Sequence, residues 1–215
     1  MTKDELIDKY RDINTHHEWW ECTYDCFEER MTSIGISVDN MYFSGFWSQG
    51  GGACFEGAVT DWDLFLPTVG ITNDVLVEFI RNHWSLSVSH SGHYYHENCT
   101  SFLGELPMPD DYDTEEFIDN FSPYTEDFRS KAWLAVLRGF DFSSMEETFR
   151  DAFKDHMRQL YRDLEKEYDY LTSDEAVWES LEANEMTDEL EEASGKDMDT
   201  QLTCRCGDVI LTKRA

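Results

Sequence analysis

The chain has 215 residues, of which 40% are hydrophobic and 14% aromatic, with 7 Trp, 10 Tyr and 14 Phe. That length accommodates one or two domains with a sizeable core, and the aromatic content excludes an intrinsically disordered chain. Lys and Arg number 17 against 46 Asp and Glu, a formal net charge of −29. Free binding to nucleic acid or to anionic lipid is excluded by that charge, because either partner repels such a surface.

No apolar run reaches the ~18 residues that span a bilayer. The charged start Met1-Thr2-Lys3-Asp4-Glu5 does not read as a signal peptide. A chain of this length builds a core without disulfides. Cys22, Cys26, Cys54, Cys99, Cys204 and Cys206 are therefore expected as reduced thiols of a cytoplasmic protein.

The N-terminal segment is helical. Thr2 and Glu5 form a capping box. Leu6, Tyr10, Ile13, His17, Trp20, Tyr24, Phe27 and Met31 recur in steps of three and four as one apolar stripe. Thr15 with Glu18 signals a break near Asn14, but the unbroken phase of the stripe argues for one long or gently kinked helix that ends at Gly35.

Residues 36–47 form an aromatic and β-branched strand, with Met41–Trp47 expected to be buried on both faces. A turn over Ser48–Gly52 leads to a second strand, 53–59. A short amphipathic helix follows over 73–82. Residues 84–90 alternate as a strand, which turns at Ser91-Gly92 and returns over 93–103. These elements predict an α+β fold with one antiparallel sheet of hairpins packed with long amphipathic helices.

Leu106–Phe128 holds three of the four Pro residues and reads as a connection. A helix is expected over 131–140 through Trp133, Leu134 and Leu137. A long helix follows, opened by Ser144 and Glu147, with the stripe Met145, Phe149, Phe153, Met157, Leu160, Leu164, Tyr168 and Leu171. Thr172 and Glu175 cap a last helix. Val209-Ile210-Leu211 has the makings of a short docking strand. Residues 1–186 are expected as a single α+β domain and 187–215 as an acidic, partly mobile segment. Phe43, Phe46, Phe149, Phe153, Leu160 and Leu164 are expected in the core.

The charge is unevenly placed. Residues 31–128 carry 16 acids and one base, Arg81, and residues 173–199 carry 11 acids and one base, Lys196. Duplex DNA bears one charge per ~1.7 Å, so 29 carboxylates match ~49 Å of duplex, on the order of 14 base pairs. One reading is mimicry of nucleic acid toward a basic partner protein. The bland reading is solubility, set against the stability that self-repulsion costs. Asp110, Asp111, Asp113, Glu115 and Glu116 cluster on the predicted connection and are the candidate partner-binding acids. Trp47, beside a polar turn, is the candidate aromatic contact.

Other constellations carry less. His90, His93, His96 and Cys99 are zinc-type ligands at steps of three, but residues three apart face opposite sides of a strand. The plainer reading is a hairpin using these residues as cross-strand pairs with Tyr94 and Tyr95. Cys204-Arg205-Cys206 has the wrong gap for a zinc knuckle. Asp61-Trp62-Asp63 puts two carboxylates on one side of an extended chain without a defined partner. Ser44–Gly50 is neither a nucleophile elbow nor a phosphate loop. No catalytic residue, metal or cofactor is assigned.

Three blocks carry a resemblance. They are Phe43-Ser44-Gly45-Phe46-Trp47-Ser48-Gln49-Gly50-Gly51-Gly52-Ala53, then Ser89-His90-Ser91-Gly92-His93-Tyr94-Tyr95-His96, then Leu160–Val177. Over residues 17–186 the chain resembles a family of phage- and plasmid-borne proteins sometimes labelled antitoxins. That family commonly has Asp where this chain has Gly51. The resemblance implies a mobile-element origin and a bacterial cytoplasm, and supplies no catalytic residues. Three functions follow as expectations: an acidic inhibitor of a host nucleic-acid-acting or defence protein, an antitoxin-like partner of a toxin, and a zinc-binding protein.

Overall fold

The capping box at Thr2 forms as its spacing predicts. The Thr2 hydroxyl accepts the Glu5 amide at 3.2 Å, and the Thr2 amide donates to the Glu5 carboxylate at 2.8 Å. The structure, a computed structural model, describes residues 1–47, 50–104, 131–187, 201–203 and 209–211. Its elements are α1 (Lys3–Lys9), α2 (Glu21–Ser33), β1 (Ile36–Ser44), β2 (Gly52–Val59), α3 (Trp62–Thr68), α4 (Asp74–His83), β3 (Ser87–His90), β4 (Thr100–Leu103), α5 (Lys131–Arg138), α6 (Phe142–Leu171), α7 (Asp174–Ala183), β5 (Gln201–Thr203) and β6 (Val209–Leu211). This is the α+β fold that the sequence predicts, with a four-stranded antiparallel sheet in the order β1-β2-β3-β4. The chain divides into two compact units, residues 1–26 with 162–215 and residues 27–161.

In the first unit the expected single long helix does not form. Helix α1 stops at Lys9, and Ile13–Thr15 make a 3-10 turn before α2 begins at Glu21. Tertiary partners override the stripe. The Asn14 amide donates to the Leu171 carbonyl at 2.9 Å, and Asn14 Oδ1 accepts from the Ser180 hydroxyl at 2.6 Å. Arg11 bridges to the Thr172 carbonyl and the Asp174 carboxylate. Leu6, Ile7 and Ile13 bury themselves with Val177 and Leu181, edged by Tyr10, Trp178 and Met186. The cap of α7 is Ser173, one residue later than expected, its hydroxyl accepting the Ala176 amide at 3.2 Å. Val209–Leu211 is a strand as expected, and it pairs with β5.

In the second unit, α2 ends where Gly35 takes the left-handed conformation, φ +82°. Strands β1 and β2 pair from Ile36↔Val59 to Ser44↔Gly52, with a register shift between Val38 and Asn40. The strand expected over 36–47 ends at Ser44. The half-exposed pattern of β1 replaces the expected burial on both faces, and β2 is the buried strand instead. The second hairpin also differs. Its strands are only four residues each, and residues 91–99 form the loop between them rather than a tight turn at Ser91-Gly92.

Helix α3 answers to no sequence expectation. Asp61, expected in an extended stretch, is its N-cap and accepts the Asp63 and Leu64 amides at 3.0 and 3.2 Å. Trp62, Phe65 and Leu66 are buried on it. Helix α4 starts at its Asn73 cap, in line with the expected 73–82. The cap of α6 is Asp141, whose carboxylate accepts the Ser144 amide, rather than Ser144 itself.

The stripe of α6 is buried as predicted at Phe149, Phe153, Met157, Leu160 and Leu164. Phe153 stacks on Phe55 and meets Phe65 and Phe102 edge-on, so α6 covers the sheet face that carries β2's Phe55 and β4's Phe102. Each such buried Phe contributes roughly 1.5–3 kcal/mol of transfer free energy. Phe43 and Phe46, expected in the core, are only half-buried because β1 ends beside them. The expected connection 106–128, the acidic run 188–199, Cys204 and Cys206 lie outside the described residues. No helix among the described residues is long and apolar enough to cross a membrane.

Candidate functional site

Two loops meet at one end of the sheet. The first leaves β1 at Ser44 and re-enters at Gly52; the second is the 91–99 loop between β3 and β4. The Ser44 hydroxyl donates to the Gly50 carbonyl at 2.8 Å and to the Tyr95 carbonyl at 3.3 Å, tying the loops together. The ring of Tyr94 lies over Gly50. A Cβ at Gly52 would stand 2.7 Å from Cδ2 of His96 and 3.1 Å from its Cα, so only glycine admits the second loop at this distance. Two of the resemblance blocks thus converge. Tyr161 of the third joins them, its ring 5.4 Å from that of Phe46.

The surface so made is aromatic. Trp47 is 72% exposed, Tyr94 52% and Tyr95 40%. Trp47 holds φ at +59°, a left-handed conformation that a bulky side chain adopts only under constraint. Its ring leans on Phe46, which packs on Phe43 and Tyr161. Tyr95 stacks on Tyr42 at 4.9 Å and 10°. The ring of His90 is 5.0 Å from Tyr95.

Beneath the Tyr42–Tyr95 stack lies a fixed carboxylate. Glu56 Oε1 accepts the His90 amide at 3.0 Å, and Oε2 accepts Asn40 Nδ2 at 3.0 Å and the Tyr42 hydroxyl at 3.1 Å. The His90 amide, with help from Asn40 and Tyr42, holds the Glu56 carboxyl below the usual carboxylate range. Burial and then the bond to Glu56 push the Tyr42 phenol up. On the second loop, Glu97 receives Arg158 Nε of α6 at 3.2 Å and lies 2.8 Å from His96 Nδ1. These bonds fix the loop that presents Tyr94 and Tyr95.

Trp47 lies beside the turn as expected, but past the end of β1 and exposed, not within a strand buried on both faces. Asp110, Asp111, Asp113, Glu115 and Glu116 lie outside the described residues. His90, His93, His96 and Cys99 take separate partners. His90 Nε2 faces the Tyr94 carbonyl, His93 packs on the Tyr94 ring, His96 meets Glu97, and Cys99 sits against Gly92. Among the described residues no group of three or more His, Cys, Asp or Glu converges as a metal site. The expected cross-strand pairing of His93–His96 is replaced by the loop. Asp63 is not poised beside Asp61 but pairs with Arg81 at 2.9 Å. Cys54 is wholly buried and burial pushes its thiol up to about 12, so it stays protonated at neutral pH.

Read from the sequence, Tyr94 and Tyr95 are only cross-strand pair residues, and no site role falls to Glu56, Glu97, Arg158 or Tyr161. The adjacent pair Tyr94-Tyr95 in a Ser-, Gly- and His-rich stretch was the available signal, since a loop composition with two aromatic rings marks an exposed contact. In comparison with known proteins, residues 19–174 match the family model described as Domain of unknown function (DUF8835). No curated protein and no solved structure matches the chain.

Proposed function

The chain belongs to the family of Domain of unknown function (DUF8835), and we propose that it is an acidic inhibitor of the phage type. It binds a basic host protein that acts on nucleic acid or in defence, with its carboxylates standing in for phosphates, in the cytoplasm of a bacterial host. The observation that carries this reading is the ratio of one base to 16 acids across residues 31–128. That one base, Arg81, is itself neutralised by Asp63. Crowding extends to α2, where Glu18 holds the Glu21 carboxyl above its usual range and Asp25 adds to the effect. Carboxylates carried on helices and strands keep a fixed spacing, as phosphates do, and a field of one sign speeds the approach of a basic partner. The reading uses no catalytic residue, metal or cofactor.

The test is capture from bacterial lysate at low and high salt, identification of the bound protein, and an assay of its nucleic-acid binding with and without this chain. Neutralising Asp110, Asp111, Asp113, Glu115 and Glu116 to Asn or Gln is expected to weaken inhibition and flatten its salt dependence. Unchanged inhibition at both salt concentrations rules out this segment as the contact surface, and loss of solubility alone supports the bland reading of the charge. A second reading, an antitoxin-like protein that neutralises a toxin by direct binding, is favoured by the exposed rings of Trp47, Tyr94 and Tyr95, because aromatic anchors resist salt. A small dedicated partner retained at high salt supports it.

A further inference from the structure

Helix α2 turns two thiols toward each other near its start. Cys22 and Cys26 stand four residues apart on it, the spacing that sets side chains one above the other on one face. The two thiols are hydrogen-bonded to each other. Cys26 is exposed and Cys22 half-buried, so the pair opens to solvent. The other described cysteines differ: Cys54 is wholly buried, and Cys99 sits half-buried against Gly92. Touching thiols serve as a disulfide, as metal ligands or as packing. A disulfide fits the helix poorly, because it needs Cβ atoms ~3.5–4.5 Å apart and residues four apart on a helix hold them at ~5–6 Å. Burial and then the neighbouring Cys26 push the Cys22 thiol up, the reverse of what makes a cysteine redox-reactive. Packing accounts for Cys22 but not for Cys26, since a packing thiol is buried and this one faces water.

We propose that Cys22 and Cys26 form a two-coordinate site for a soft monovalent cation, Cu(I). Thiolate sulfur selects soft ions. Zinc and iron–sulfur clusters take three or four protein ligands, and among the described residues no third His, Cys, Asp or Glu joins the pair as a ligand set. Cu(I) is a closed-shell ion that two sulfurs in line satisfy. A sulfur–metal–sulfur bridge also spans the gap between the two helix positions that a single sulfur–sulfur bond does not. Binding displaces both thiol protons: two neutral thiols and one Cu⁺ give a singly negative bis-thiolate and two H⁺. The net charge of −29 concentrates cations at the protein, and the Glu167 and Asp25 carboxylates act on Cys22 at close range. The negative charge that the bound site carries lies on the solvent side of the helix, at the exposed Cys26, where water stabilises it. The inference stands independently of the acidic-inhibitor reading.

The experiment offers Cu(I), held by the coloured competitor bathocuproine disulfonate, to the reduced full chain without oxygen. Cys204→Ser and Cys206→Ser are present throughout, so that the second closely spaced cysteine pair takes no part. The chain is expected to draw a single Cu(I) from the competitor, with two sulfur neighbours in X-ray absorption. Cys99→Ser is expected to leave that binding unchanged. Cys26→Ser is expected to weaken it about a hundredfold, the upper end of what loss of a merely supporting residue costs at a metal site. A second variant, Thr23→Cys with Cys26→Ser, keeps the number of thiols but sets two of them at adjacent positions, which do not face each other on a helix. It is expected to bind as weakly as Cys26→Ser, with helical circular dichroism equal to the parent's. Failure of the chain to take Cu(I) from the competitor overturns the proposal. So does full affinity in Cys26→Ser or in the displaced-thiol variant, which would mark thiols that bind without pairing. A Cys22–Cys26 disulfide formed with oxidised glutathione while the helical signal is unchanged also overturns it, because the pair would then be a redox pair.

Discussion

Replacing Phe153 by Ala tests the placement of α6 on the sheet. Phe153 is fully buried and its ring meets three others, stacked on Phe55 at 5.6 Å and edge-on to Phe65 and Phe102 at 5.8 Å. Phe→Ala in a core costs ~3–5 kcal/mol, and ring pairs add roughly 0.5–1.5 kcal/mol each beyond area. Three such pairs put Phe153→Ala at the upper end, about 4–5 kcal/mol. With a urea m-value of ~2 kcal/mol/M, the midpoint should fall by about 2 M. Circular dichroism and tryptophan fluorescence, followed together, read the midpoint. Phe46→Ala is the control. The sequence ranked Phe46 with Phe153, but the structure leaves it half-buried against Phe43 and Tyr161, so roughly half the loss, about 2 kcal/mol, is expected. A loss under ~0.5 kcal/mol for Phe153→Ala, well below the core range, or a larger loss for Phe46→Ala, would refute the packing described here.

Salt should raise the melting temperature between low and moderate ionic strength, because a net charge of −29 repels itself and screening shortens that repulsion; a flat or falling curve contradicts crowding of the acids. His156 on α6 has its pKa lowered, first by burial and then by Arg30. The folded state therefore favours the neutral ring, so its stabilising effect is complete above the unfolded value of ~6.5 and is lost as pH falls through the lower folded value. His156→Gln should flatten the pH dependence of stability between the unfolded value and the lower folded one relative to the parent, and identical slopes there would dismiss the assignment. Gly52→Ala should cost ~1–3 kcal/mol, since its Cβ meets the His96 ring and backbone; a stability equal to the parent's would show that the loops are not in contact.

Much of the fold is local information. The Thr2–Glu5 capping box, the left-handed Gly35, the start of α4 at Asn73 and the stripe from Phe149 to Leu164 all follow from hydrogen-bonding chemistry and periodicity within a few turns of chain. The charge asymmetry was equally legible, because composition needs no partner to be read.

What the sequence missed depends on residues far away in the chain. The stripe through Ile13 promised a continuous helix, yet Asn14 finds Leu171 and Ser180, and those bonds hold a 3-10 turn instead. Helix α3 was hidden by Pro67 and by its brevity; burial of Trp62, Phe65 and Leu66, with Trp62 and Phe65 against Phe149, stabilises what propensity alone does not. Residues 93–99, expected in the returning strand, form a loop instead, as His96 turns to Glu97 and Glu97 to Arg158 on α6. The candidate site is the clearest case. Its rings come from loops about fifty residues apart, and only the close approach allowed by Gly52 brings Tyr94 and Tyr95 beside the turn that presents Trp47. Local patterns specify which residues prefer a helix, a strand or a turn, whereas the meeting of two loops is set by packing, which a one-dimensional pattern does not encode.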